Sequence, residues 1–113
     1  MGKAMTDITR VETVAGLNEV LGADSAVLYK HSPTCGASLL AFKEVRRFAA
    51  GHPAMPVYMI DVIEGADLAA QAAERLGVTH ESPQVIVLDH GTPVWNASHR
   101  RVTAAALAKQ VGR

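Results

Sequence analysis

Cysteine is scarce in this sequence: Cys35 is the single one among 113 residues. One thiol cannot close an internal disulfide. It also excludes metal sites built from several thiolates. An excess of charge of one sign is missing too, since eleven basic residues balance eleven acidic ones. Such a chain has no net field to gather nucleic acid or an anionic membrane surface, and neither is expected as a partner. No apolar run approaches the roughly 20 residues of a membrane-spanning helix. Residues 1–10 lack the basic-then-apolar order of a secretory leader, so the expected location is the cytoplasm. Repeats, low-complexity stretches and linkers are absent as well. At this length a single domain over residues 1–113 is expected.

The apolar residues that are present fall into helix and strand patterns. Val11, Val14, Ala15, Leu17 and Leu21 recur at helical spacing and predict a helix over 11–21. Thr9, with Glu12 three residues on, fits a capping box at its start, and Gly22 suits its end. Residues 26–29 form a short apolar run suited to a buried strand. A turn cluster follows, His31-Ser32-Pro33-Thr34. A second helix is predicted over 35–50, with Leu39, Leu40, Phe42, Val45, Phe48 and Ala49 as its apolar stripe. Gly51 and Pro53 stop it. Residues 56–61 read as a strand, 66–76 as an alanine-rich helix closed by Gly77, and 85–88 as a β-branched strand. A turn at 89–92 leads to a strand over 94–97, and Thr103 caps a last helix that runs to Val111.

Strands separated by helices want parallel pairing with right-handed crossovers. The last two, joined by a short turn with Gly91, want an antiparallel hairpin. The expected fold class is therefore α/β, with a four-stranded mixed sheet flanked by helices.

Cys35 falls where the first of these strands meets the next helix. The first turn of a helix has backbone N–H groups without intrahelical partners, and the helix dipole places partial positive charge there. Both favour thiolate over thiol, and thiolate is the form that attacks a disulfide. A lone cysteine is more commonly a small buried hydrophobe, but such a residue belongs on a strand or an apolar stripe. Cys35 instead lies between Pro33 and Gly36. Cys35-Gly36-Ala37-Ser38 has the spacing of a Cys-x-x-Cys motif with serine in the last place. Ser38 cannot resolve a mixed disulfide. Its hydroxyl either bonds the thiolate or bonds its own helix backbone.

Lys30 has comparable alternatives: it stabilises the thiolate, binds a carboxylate of a small thiol, or stands at the strand end as a solvated charge. His31 is a charge partner for the thiolate or a polar loop residue. His99 packs or hydrogen-bonds near the end of the last strand, and Trp95 packs on its strand. His31, His80 and His99 do not have the spacing of a recognised metal cluster, so no metal is expected.

Taken together, the topology, the cysteine at the first strand-to-helix join and Pro83 before the hairpin resemble a thioredoxin fold. Lys30-His31-Ser32, Thr34-Cys35 with Ser38, the stretch from Gly77 to Val85, and Trp95 followed by Ser98-His99 resemble the monothiol bacilliredoxins of the bacillithiol system. The match runs in order from about Thr9 to Leu107. Gly36 is its one departure, since a bulkier residue or proline is expected there.

The resemblance implies a cis peptide between Ser82 and Pro83, with Ser82 facing Cys35 and offering backbone groups to an extended substrate. It implies a catalytic Cys35 supported by Lys30, Thr34, Ser38, Ser82 and Pro83. The activity it implies is removal of bacillithiol or a similar small thiol from mixed disulfides on client proteins. A second thiol or a reductase would then clear Cys35. No cofactor is expected beyond that small thiol, and the chain is expected to be a monomer or weak dimer. The alternative is a non-enzymatic redox sensor or binding adaptor on the same fold, dimerising through Cys35.

Overall fold

Five of the seven residues of Ser25–His31 are buried. A strand covered on both faces belongs inside a sheet with helices on either side. The computed structural model, which describes residues 8–111, has that architecture. Part of the stretch considered for a leader, residues 1–7, lies outside the described range.

The elements are β1 (Thr9–Arg10), α1 (Val14–Gly22), β2 (Ser25–His31), α2 (Gly36–Gly51), β3 (Val57–Asp61), α3 (Ala66–Leu76), β4 (Gln84–Asp89), β5 (Thr92–Ser98) and α4 (Ala104–Val111). A single 3-10 turn, His99–Arg101, stands between β5 and α4. The sheet order is β1-β3-β2-β4-β5. The β1–β3 and β3–β2 pairs are parallel, and β2–β4 and β4–β5 are antiparallel. Among the described residues no helix is long and apolar enough to cross a membrane.

Among the described residues the sheet therefore has five strands, where four were expected. Thr9 and Arg10 pair with Tyr58 and Met59 instead of starting a helix. The Val11 N–H extends this pairing to Met59 O at 2.8 Å, and the Val11 side chain is buried. Two residues are too few to show an alternating pattern, so the edge strand leaves no periodic trace. Glu12 pairs with Arg10 at 3.3 Å and takes no part in a capping box. The helix cap is Thr13, whose Oγ1 accepts the Gly16 N–H at 3.0 Å.

Alternation along β2 divides the core. Val27 and Tyr29 face Ala41, Val45 and Phe48 of α2 and Leu107 of α4. Ala26 and Leu28 face Leu17 and Val20 of α1 and Leu68 and Ala72 of α3. The buried face of α2 runs through Ser38, Ala41, Val45, Phe48 and Ala49. Leu39 and Leu40, expected on that stripe, are instead 57% and 68% exposed. They leave apolar surface one turn beyond Cys35.

The β4–β5 hairpin turns on His90 and Gly91, with φ of 51° and 78°. Positive φ at both central residues is what a two-residue hairpin matched to strand twist requires. Gly91 is also pressed against α1: a Cβ there would lie 2.4 Å from Leu21 O. Gly91→Ala is therefore expected to cost about 1–3 kcal/mol. Gly22→Ala, with nothing within 4 Å of the added carbon, should shift stability by less than about 1 kcal/mol. Urea unfolding of both variants checks this, and equal midpoints would contradict it.

Candidate functional site

Cys35 is the N-cap of α2, with extended backbone (φ −112°, ψ 127°). Its side chain is partly exposed. The Ser38 and Ala37 amides, which open the helix, lower the thiol pKa from its ordinary value. Burial opposes them slightly, and the Ser38 hydroxyl adds to the lowering. This is the effect anticipated from the orphan N–H groups of a helix start.

Ser38 is wholly buried. Its Oγ accepts the Ser32 N–H at 3.1 Å, across the turn that carries Cys35. The Cys35 N–H returns to Ser32 O at 3.2 Å. Ser38 thus closes the loop from its far side in addition to acting on the sulfur. Its carbonyl oxygen accepts the Tyr29 hydroxyl at 3.0 Å. Because that proton is committed, His31 Nδ1, 2.9 Å away, donates to the Tyr29 oxygen. Burial raises the Tyr29 phenol pKa against the Ser38 hydrogen bond, and the charge of a nearby Cys35 thiolate adds to the rise. Burial also lowers the His31 pKa. Its ring packs against Phe42, with centroids 5.2 Å apart. His31 is consequently a neutral packed ring, neither a thiolate counter-charge nor a loop residue in water. Tyr29 escaped the reading of its strand as merely apolar. The available sign was that a buried tyrosine hydroxyl needs a partner.

Lys30 departs furthest from expectation. It points to the opposite face of the sheet from Tyr29 and has no exposed surface. Its Nζ donates to His80 Nδ1 at 3.2 Å. It is neither a solvated charge nor a neighbour of the thiolate, and burial pushes its pKa down to about 8. Gln84 stands opposite Lys30 in the sheet register. Its Nε2 donates to Thr79 O at 3.0 Å, while its Oε1 is buried with no partner among the described residues. These two bonds tie the segment before β4 to the central strands.

That segment ends in Ser82–Pro83, whose peptide bond is cis. Ser82 is half-buried and Pro83 buried. The start of β4 and the end of β2 lie at the same end of the sheet, which also carries the Cys35 turn. Pro83 O accepts the His99 N–H at 2.9 Å, and His99 Nε2 meets Glu81 Oε1 at 2.8 Å. His99 makes both contacts from a backbone with φ of 57°. It brackets the proline segment from the far side. Thr34 is exposed in the turn beside Cys35. Gly36 has open space around it, so the proline expected there would fit sterically, and the extended backbone of Cys35 suits a following proline. Trp95 packs partly buried against the α2–α4 side of the core. Among the described residues no three of His, Cys, Asp or Glu gather as a metal would require.

A mixed sheet that presents one thiol at a helix N-terminus, beside a cis-proline segment, defines a thioredoxin-like thiol redox protein. The family model of monothiol bacilliredoxin BrxC matches residues 6–107, and the chain belongs to that family. Among solved structures it is similar to one described as a proposed oxidoreductase with a thioredoxin fold. The identity is 26% and the TM-score 0.88, over 94% of this chain and 95% of the other. It shares the fold of Trypanosoma brucei brucei thioredoxin, at 13% identity and TM-score 0.77 over 93% and 88% of the two chains. Fasciola hepatica thioredoxin has it too, at 19% identity and TM-score 0.74 over 93% and 97%.

The buried lysine generates a prediction. In the unfolded chain Lys30 holds its proton up to about pH 10.5, but in the fold only to about pH 8. Between those values the unfolded state binds more protons, so this residue makes stability rise with pH. Lys30→Met removes the contribution. The gap in unfolding free energy between wild type and variant should move in favour of wild type by up to about 3 kcal/mol across that window. Urea unfolding at a series of pH values measures it, and parallel curves would exclude the assignment.

Proposed function

We propose that the protein is a monothiol thiol-disulfide oxidoreductase that strips a low-molecular-weight thiol, bacillithiol foremost, from mixed disulfides on other proteins. The observation that carries this reading is Cys35 at the cap of α2, with its pKa lowered by the Ser38 and Ala37 amides. No second cysteine exists in the chain to compete.

In the first step the Cys35 thiolate attacks the small-thiol sulfur of the mixed disulfide. A new S–S bond forms between Cys35 and the small thiol, the old S–S bond breaks, and the client leaves as a thiolate that takes a proton from water. A second molecule of small thiol, or a reductase, then attacks the adduct and frees Cys35. One thiol suffices for this sequence. Reduction of a disulfide within one client would call for a second, resolving thiol. Ser82 supplies backbone hydrogen-bonding groups to the extended substrate, Pro83 shapes the surface beside it, and Thr34 forms the exposed rim of the turn. Lys30, buried against His80, acts by holding the loop and makes no contact with substrate.

Mass spectrometry of the protein mixed with a bacillithiolated client tests this, beside a Cys35→Ser control. The expected result is a free client thiol and a one-to-one small-thiol adduct on Cys35, absent in the control. If a disulfide-linked dimer through Cys35 were the sole product, with the client untouched, the chain would be a redox sensor instead.

A further inference from the structure

A groove of about 300 Å³ runs between α2 and the segment that follows β5, and its lining begins at Ala37, two residues after Cys35. Ala37, Leu40, Ala41 and Val102 line it with apolar surface, and His99 and Arg100 stand on its opposite wall. Both ends of the reaction centre are built into these walls. Ala37 contributes one of the amides that act on the Cys35 sulfur. The His99 N–H holds Pro83 O. A molecule joined to Cys35 through sulfur therefore has a wall of the groove, at Ala37, two residues from its point of attachment.

The charges along it are unequal in availability. Glu44 also lines the groove, but its Oε1 accepts the Ala104 N–H at 2.9 Å and its Oε2 lies 3.7 Å from Arg47. The His99 ring is engaged by Glu81. Among the described residues no carboxylate lies within salt-bridge distance of Arg100. An exposed arginine that shares a groove with apolar side chains suits a small ligand bearing a carboxylate, which a guanidinium can grip with two parallel bonds. The volume is at the lower limit of small-molecule sites and is too small for a folded partner.

We infer that this groove is the subsite for the carboxylate-bearing end of the small thiol, with Arg100 as its specificity-determining residue. The inference rests on the proposed exchange at Cys35 and deepens it. Arg100 takes no part in the S–S chemistry. It selects which small thiol is presented to Cys35 in the right orientation.

Rapid-mixing rates of Cys35 adduct formation test it, using one client protein carrying bacillithiol, glutathione or 2-mercaptoethanol in mixed disulfide. The first two small thiols bear carboxylates and the third does not. Arg100→Ala should slow exchange with the first two about fivefold, the scale of one exposed charge pair. It should leave 2-mercaptoethanol exchange unchanged, and Arg100→Lys should recover part of the loss. Equal slowing with all three, or slowing with none, would overturn the inference. A second readout separates it from the proposed function. S-methylglutathione cannot exchange, and its binding to Cys35→Ser protein, followed by NMR shifts of Leu40 and Val102, should weaken when Arg100→Ala is added. Binding that depends on Arg100 in a protein that exchanges none of the disulfides would keep the subsite and discard the activity. Absence of such binding, with exchange intact, would do the reverse.

Discussion

A buried hydroxyl, that of Ser38, accepts the Ser32 N–H across the turn that carries Cys35. Much of the site follows from that bond. Three groups of Ser38 act at once: its Oγ closes the turn, its carbonyl receives the Tyr29 hydroxyl, and its amide acts on the Cys35 sulfur. A side chain that only hydrogen-bonded its own helix could not fix the cap at which the thiol sits. Buried polar groups stabilise when every member is satisfied and are costly when one is not. That asymmetry makes this small network specify a single arrangement of the turn.

The fold supplies the network with rigid neighbours. Tyr29 belongs to the central strand, so its hydroxyl is placed by the sheet. On the other face of the same strand Lys30 holds His80, and Gln84, opposite it on β4, holds Thr79. Adjacent residues of β2 therefore serve different halves of the site. One supports the thiol turn, and the other anchors the segment leading to Ser82 and Pro83. A fully buried ammonium without a carboxylate is expensive, and its lowered pKa records that cost. Ala37 of the first half and His99, which holds the second, both line the groove between α2 and the segment after β5.

Much of this was legible in the sequence, and the failures have physical reasons. Long periodic helices and β-branched runs declare themselves, so four strands and four helices were placed, Thr103 included: its Oγ1 accepts the Ala106 N–H at 3.1 Å. Gly77 closes α3 with φ of 68°, as a glycine in that place suggests. The edge strand at Thr9 and Arg10 was missed because pairing with β3 is a tertiary choice that two residues cannot signal. Leu39 and Leu40 look like core residues because a stripe read from helical spacing does not show which arc of the helix meets the sheet. Cys35 stands out because a helix start has its own chemistry, and it does occupy the cap of α2. Ser38 stands out by its spacing from Cys35, but its hold on Ser32 depends on a loop path that spacing does not encode. For Lys30 the sequence leaves a thiolate partner, a carboxylate binder and a solvated charge equally open, because nothing in it shows that the Lys30 side chain packs against His80 on the other face of the sheet.

The helix-start amides and the Ser38 hydroxyl hold the Cys35 thiol pKa below its ordinary value, and the whole site is arranged around that effect. Titration of the thiolate by its ultraviolet absorbance, in wild type and in Ser38→Ala, tests it most directly. The expected wild-type midpoint lies below the free-cysteine value of about 8.5, and it moves upward in the variant. A wild-type midpoint at or above the free value, or no change on removing the hydroxyl, would contradict it.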